Sequence, residues 1–201
     1  MHRFLLLLAF LAAFLSRAPL SAETLVIQTF LGFTPPTETP QPFVVPGFDP
    51  NLGTVNSVSM KVVPRMWTRY SNENTGFAGT GLMSVTGRVT ISNELGTQLF
   101  TDEMTRAHSV ALPSFDGVID FAGTSGSFVQ FVETEPFHAP YVARTRREIA
   151  PFVGVGIKTF FIHRQGVAQD FACDTANWSH MVDARTGAEI EITINYTPTL
   201  N

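Results

Sequence analysis

The strongest restriction on the fold of this chain is the alternation of apolar and polar side chains over short segments. In residues 189–196 the apolar positions are two apart, so an extended strand has one apolar and one polar face. Residues 55–63 and 81–92 repeat this spacing. The residues expected to face the core are Val58, Met60, Val62, Leu82, Val85, Val89, Ile91, Ile190, Ile192 and Ile194.

Further strands are predicted at residues 24–33, 109–112, 118–121, 127–132 and 157–163. The 13 prolines and 15 glycines separate these segments, and five prolines exclude a central strand from residues 34–46. A short helix is expected only within residues 141–150. About nine or ten short strands without alternating helices predict an all-β fold, a single-domain antiparallel β-sandwich of jelly-roll or Ig-like type.

The first 22 residues have the three regions of a secretory signal peptide. Arg3 precedes an apolar run at residues 4–15, and this run is shorter than the roughly 20 residues that a spanning helix needs. The small residues Ser21 and Ala22 suit signal peptidase. We therefore expect cleavage after Ala22, a domain at residues 23–201, a secreted protein (extracellular or periplasmic), and neither a C-terminal anchor nor a further membrane span.

Charge and cysteine content restrict the partners and the chemistry. Removing Arg3 and Arg17 leaves 11 of the 13 basic residues against 17 acidic ones, a formal charge of −6. Because nucleic-acid affinity comes from Lys and Arg at phosphates, we expect no nucleic-acid partner. Cys173 is the single cysteine, which excludes an internal disulfide. We interpret it as a small buried hydrophobe; a thiol activated by His163 or His180, or an intermolecular disulfide, are the alternatives.

No pattern of a metal, cofactor or catalytic site is recognised, so none of these is predicted. The histidines of the mature chain, none spaced as a helical zinc pair, are His108, His138, His163 and His180. Loop carboxylates that calcium would use, but that turns explain more simply, are Asp49, Asp102, Glu103, Asp116, Asp120, Asp170 and Asp174. Residues 123–126 lack the G-x-S-x-G spacing of a serine nucleophile. Paired carboxylates for glycoside hydrolysis stay open, because their separation is not readable from sequence.

Aromatic side chains offer a different possibility, since exposed rings stack on sugars. The candidates are Trp67, Tyr70, Trp178 and Tyr196. We expect most of them to be core residues, as aromatic residues of a β-sandwich usually are.

Three short motifs in the expected order resemble the bacterial choice-of-anchor E domain, a PEP-CTERM-associated exported family. The first, Phe48-Asp49-Pro50-Asn51-Leu52-Gly53-Thr54-Val55, is similar to its FDPsLGTL signature; the second is Asp120-Phe121-Ala122-Gly123-Thr124-Ser125-Gly126, and the third Phe152-Val153-Gly154-Val155-Gly156. From the residues themselves, Asp49, Pro50, Asn51 and Gly53 are expected to form a turn with Phe48 and Leu52 packed beneath it. We interpret the motif residues as structural.

The resemblance implies an exported bacterial domain from species with exopolysaccharide-associated sorting. We predict a secreted, non-enzymatic protein with a structural or interaction role in the envelope or extracellular matrix. The partner is unknown, with extracellular polysaccharide or an envelope protein as candidates. The alternative is a carbohydrate-binding module or a weak glycan-active enzyme. A third hypothesis, calcium-dependent adhesion, requires Asp49, Asp116 or Asp120 to cluster.

Overall fold

Strands make up most of the chain in the computed structural model, which describes residues 21–134, 139–173 and 177–199, and only the backbone of 133–134 and 167–173. Residues 1–20 of the predicted signal peptide, and the candidates His138 and Asp174, lie outside this part. The strands are β1 (Glu23–Thr34), β2 (Gln41–Pro46), β3 (Gly53–Asn74), β4 (Gly79–Asn93), β5 (Gln98–Leu112), β6 (Gly126–Thr134), β7 (Tyr141–Ala143), β8 (Ile157–Cys173) and β9 (Trp178–Pro198).

The strands form two antiparallel sheets that pack against each other. The first sheet has the order β1-β9-β3-β6, with β7 also beside β3, and the second has the order β2-β8-β4-β5. The β2 strand, in the proline-rich region, is an edge strand, which agrees with the exclusion of a central strand there. The prediction of a single-domain antiparallel β-sandwich is confirmed.

Several strands are much longer than predicted, and the longest pair spans the whole first sheet. The 22 residues of β3 pair with the 21 of β9 from Gly53 opposite Pro198 to Asn74 opposite Trp178. The alternation is hard to recognise in the second half of β3 because polar residues, Thr68 and Asn72, take buried inward positions there. The continuous ladder of backbone hydrogen bonds therefore extends beyond the segments with clear apolar alternation.

Two groups of buried residues fill the space between the sheets. The larger contains the predicted core positions Val58, Met60, Val62, Val89, Ile91, Ile190, Ile192 and Ile194. The smaller contains Met66, Tyr70, Met83, Val85 and Met104. The prediction for Leu82 is wrong: its side chain is exposed on the outer face, and Met83 faces the core instead.

The segments between strands differ from prediction in two places. Residues 118–121, predicted as a strand, belong to the loop between β5 and β6. The predicted short helix at residues 141–150 is reduced to α1 (Arg146–Ile149), followed by one 3₁₀ turn at Ala150–Phe152. A capping box starts α1, because the Thr145 hydroxyl accepts from the Glu148 amide and the Glu148 carboxylate accepts from the Thr145 amide.

Candidate functional site

The first and third motifs lie far apart in sequence but meet at one end of the sandwich. The Phe48 amide donates to the Phe152 carbonyl at 2.9 Å, and the Gly154 amide donates to the Phe48 carbonyl at 2.8 Å. A third bond joins the Gly47 amide to the Gly156 carbonyl, also at 2.8 Å. We call this contact the motif junction (residues 47–53 with 152–156). Backbone pairing of this kind ties the loop before β3 to the loop before β8.

Side chains of the first motif complete the junction. Phe48 is fully buried, and its ring centroid lies 4.8 Å from that of Tyr196. The Asp49 carboxylate accepts from the Asn51 amide at 2.9 Å, which closes the predicted turn around Pro50. A Cβ on Gly53 would lie 2.2 Å from a carbonyl oxygen of β9, so only glycine fits there. The expectation that Leu52 packs beneath the turn is wrong, because it is 52% exposed.

The second motif lies at the opposite end of the first sheet, in the loop that leads into β6. Strand β3 separates it from the motif junction by about 70 Å at 3.3 Å per residue. The Asp120 carboxylate accepts from the Ala122 amide at 2.8 Å, while Phe121 and Gly123 both have left-handed backbone angles, with φ of 56° and 65°. A Cβ on Gly126 would lie 2.3 Å from the Ala122 carbonyl oxygen. This loop is a sequence of tight turns, as the structural interpretation of the motif expects.

Asp116, just before the second motif, organises the same loop. Its carboxylate accepts from the amides of Val118 at 3.1 Å and Thr124 at 3.1 Å, and from the Thr124 hydroxyl at 3.2 Å. Hydrogen bonds with the Val118 amide, with Ser125 and with the Thr124 amide lower the pKa of Asp116 to about 2. The carboxylate stays ionised and serves as an internal acceptor for the loop.

A buried carboxylate closes this end of the sandwich. Glu73 of β3 is fully buried, and the hydroxyl of Ser125, also fully buried, donates to its Oε1 at 2.5 Å. The Asn74 amide donates to the Ser125 carbonyl at 3.1 Å, which attaches the loop to the end of β3. The hydroxyl of Ser125 therefore holds the loop against the sheet and has no access to a substrate.

The calcium hypothesis predicted that Asp49, Asp116 or Asp120 would cluster. Asp116 and Asp120 share one loop, whereas Asp49 lies at the motif junction at the other end of β3. Within the described residues there is no group of three or more His, Cys, Asp or Glu side chains able to hold a metal ion.

The cysteine candidate is only partly located. The Cys173 backbone pairs with Gly81 at the end of β8, and its side chain lies outside the described atoms. His163, one of its suggested bases, has a hydrogen bond between Nε2 and the Thr37 carbonyl at 3.1 Å.

The four candidate sugar-stacking aromatics do not form one platform. Tyr70 is fully buried, which raises its pKa to about 12. Trp178 packs against the smaller core group, and Tyr196 packs on Phe48. Trp67 reaches the outer face of the first sheet, where the Arg185 guanidinium lies 4.9 Å from its ring centroid. Tyr70 is thus a core residue, and Trp178 and Tyr196 are partly buried against the core groups.

Arginines and aromatic rings share the outer face of the first sheet. We call this group the arginine–aromatic band; its members are Phe30, Phe33, Arg65, Trp67, Arg69, Phe128 and Arg185. The guanidinium carbon of Arg65 lies 5.8 Å from the ring centroid of Phe30 and 5.9 Å from that of Phe33. The guanidinium carbon of Arg69 lies 4.9 Å from the ring centroid of Phe128. These are distances at which a cation is attracted to a ring face. Phe30 and Phe128 nevertheless remain 52% and 54% exposed.

This band was not predicted from the sequence. Its signal is the spacing of Arg65, Trp67 and Arg69 at every second position, which puts all three on one face of β3. Ion pairs extend the band, since Arg65 binds Glu189 at 2.9 Å and Arg185 binds Asp183 at 2.9 Å.

Comparison with known proteins assigns no family. No family model matches the chain, and no curated protein matches it. Among solved structures, infectious bursal disease virus strain Gx is similar at 12% identity and a TM-score of 0.18, over 90% of this chain and 39% of that one. Dimeric latent PorU from Porphyromonas gingivalis is similar at 8% identity and a TM-score of 0.27, over 90% of this chain and 14% of that one. Desmodium yellow mottle tymovirus is similar at 7% identity and a TM-score of 0.22, over 92% of this chain and 93% of that one. These TM-scores are too low to carry any argument about this chain.

Across residues 21–134, 139–173 and 177–199, no helix has the length and apolar character that crossing a bilayer requires.

Proposed function

We propose that this chain is a secreted, non-enzymatic β-sandwich protein that binds a protein of the bacterial envelope or extracellular matrix through the arginine–aromatic band. The observation that carries the proposal is the exposure of Phe30 and Phe128 beside arginines on one sheet face. Aromatic residues and arginine are enriched at protein interfaces, and they supply most of the binding energy there. The resemblance to an exported family and the predicted signal peptide support the location.

The packing of the band favours a protein partner over a glycan. A sugar ring stacks on an open aromatic face, whereas the faces of Trp67 and Phe128 are each approached by a guanidinium at 4.9 Å. A sugar would have to displace Arg185 or Arg69 first. A protein surface instead has carboxylates and carbonyls that bind the outer edge of a guanidinium already held flat on a ring.

The test compares two double variants in cells that produce the protein. Phe30→Ser with Phe128→Ser removes exposed rings from the band, while Phe77→Ser with Phe115→Ser removes exposed rings from loops elsewhere. We expect the full chain to be recovered with the envelope or matrix fraction. The band variant should pass into the soluble fraction at unchanged melting temperature, and the loop variant should remain bound.

Three results would each refute a part of this proposal. Equal retention of both double variants would show that the band does not bind the partner. Retention lost after polysaccharide digestion but not after protease treatment of the matrix would show that the partner is a glycan. Turnover of a bound glycan, followed by mass spectrometry, would contradict the non-enzymatic assignment.

A further inference from the structure

A cavity of about 650 Å³ lies beside the motif junction, away from the arginine–aromatic band. One wall is the turn between β4 and β5, the other is the segment from β7 through α1, and β8 contributes Lys158 and Thr159. Its volume falls within the range of roughly 300–1,000 Å³ that holds small-molecule ligands. The apolar part of its lining is formed by Leu95, Leu99, Tyr141, Ala150 and Pro151.

The wall formed by the β4–β5 turn is held rigidly by one side chain. The Asn93 carboxamide oxygen accepts from the Leu95 amide at 3.0 Å and from the Thr97 amide at 2.9 Å. Gly96, with a left-handed φ of 74°, donates from its amide to the Asn93 carbonyl at 2.9 Å. A wall that is already ordered loses little conformational entropy when a ligand binds.

The charged groups of the cavity differ in what they already bind. The Glu94 carboxylate accepts from the Thr159 amide at 3.3 Å, and the Glu148 carboxylate accepts from two amides, of Thr145 at 2.9 Å and of Arg144 at 3.1 Å. The bonds to Glu148 lower its pKa and keep it ionised. The side chains of Arg147 and Lys158, in contrast, form no hydrogen bond or ion pair with any other described residue.

The Lys158 side chain packs on two glycines of the motif junction. A Cβ on Gly154 would lie 2.6 Å from the Lys158 Nζ, and one on Gly47 would lie 3.0 Å from its Cε. The lysine side chain therefore lies over both glycines, at the edge of the cavity. Within the described residues its ammonium group has no anionic partner.

We propose that this cavity binds a small organic carboxylate with an apolar body. The carboxylate is held by Lys158 and Arg147, and the apolar body packs on Leu99, Tyr141 and Pro151. Because Glu94 and Glu148 already accept backbone hydrogen bonds, the two cations are the groups left for a ligand. The inference is independent of the proposed function, since the cavity shares no residue with the band.

The lysine content of the chain permits a direct test. Lys61 and Lys158 are the only lysines, and Lys61 lies on the outer face of the first sheet, outside this cavity. Reductive methylation with ¹³C-formaldehyde keeps the charge and gives each lysine its own NMR signal, which a Lys61→Arg variant assigns. The probes are phenylacetate, its neutral amide phenylacetamide, and phenylalanine, which adds an ammonium group.

We expect phenylacetate to shift the Lys158 signal saturably and to leave the Lys61 signal unchanged. Phenylacetamide should bind at least about tenfold more weakly, because it cannot form charge-assisted hydrogen bonds. In titration calorimetry Lys158→Gln should weaken phenylacetate binding about tenfold, whereas Lys61→Gln should leave it unchanged. If Lys158→Gln does not fold, Arg147→Gln on the exposed face of α1 replaces it.

Three outcomes would overturn the proposal. The first is an unchanged Lys158 signal, or a shift of Lys61 alone. The second is equal affinity for phenylacetate and phenylacetamide, which would show that charge does not select the ligand. The third is tighter binding of phenylalanine than of phenylacetate, which would show that Glu94 and Glu148 take part.

Discussion

Truncation of Phe48 to alanine tests whether the first motif is structural. The Phe48 side chain is fully buried and packs against Tyr196, while its backbone forms two of the three bonds of the motif junction. Removing such a ring costs about 3–5 kcal/mol, through lost burial and the cavity that remains. For a domain of this size that predicts a melting temperature lower by about 6–20 °C.

The assay is equilibrium unfolding in urea, followed by far-ultraviolet circular dichroism and by tryptophan fluorescence, together with thermal melting. Phe77→Ala is the matched control, because the same side chain is 88% exposed in the loop before β4. We expect the control to change the unfolding free energy by less than about 0.5 kcal/mol. The slope of free energy against urea should be equal in the three proteins, so that the comparison concerns stability alone.

A Phe48→Ala variant that melts within about 2 °C of the parent chain would refute the reasoning. The motif would then not be required for packing, and a functional explanation for its residues would be needed. A large loss in Phe77→Ala would refute it as well, because burial would no longer distinguish the two positions.

Three further changes test the turns at both ends of the sandwich. Gly53→Ala should lower the free energy of unfolding in urea by more than about 1 kcal/mol, because the added Cβ would meet the backbone of β9. Gly32→Ala is the control and should leave the stability unchanged, because nothing lies within 4 Å of its added Cβ. Equal effects of the two substitutions would contradict this. Asp116 has an ordinary pKa of 3.8 and a folded-state pKa of about 2, so its contribution is present above pH 4 and is lost as pH falls towards 2. Acid unfolding of Asp116→Asn should lack that component, and an unchanged acid midpoint would count against it. Ser125→Ala leaves the buried Glu73 Oε1 without its donor and should lower the free energy of unfolding in urea by about 1–3 kcal/mol. Adding Glu73→Leu should recover part of this loss. A Ser125→Ala variant of unchanged stability would disprove the role of this bond.

The sandwich could be predicted because the strand segments that line the larger core group have a clear alternation of apolar and polar residues. Strand length could not, since inward positions such as Thr68 and Asn72 are polar and break the pattern. The error at Leu82 has a similar cause. Gly81 and Gly87 occupy inward positions of β4 without an apolar side chain, so the alternation could be read one residue out of register.

The apolar side chains of residues 118–121, in the loop between β5 and β6, predict a strand. Backbone chemistry decides otherwise, since amides of this loop bind the carboxylates of Asp116 and Asp120. The left-handed angle of Phe121 is also incompatible with a strand. Neither effect is visible in hydrophobic periodicity.

The band and the cavity depend on pairings that one sequence does not reveal. Trp67 lies beside Arg185 because β3 and β9 pair in one register, and a shift of one residue would move Arg185 to the inner face. The cavity likewise requires the β4–β5 turn to lie opposite α1. The turn joins two strands of the second sheet, whereas α1 follows β7, which pairs with the first sheet.

The positions of the motifs explain why the family resemblance does not lead directly to a function. Where long strands such as β3 and β9 end, the backbone groups of the adjoining loops need other hydrogen-bond partners. The motif junction closes one end, and the loop from Asp116 to Gly126 closes the other. Residues used in this way are determined by turn geometry and burial, whichever partner the protein binds. Binding specificity must then come from surfaces that the motifs only support. Lys158 is an example, because its side chain packs on glycines of the motif junction while its ammonium group is available to a ligand in the cavity.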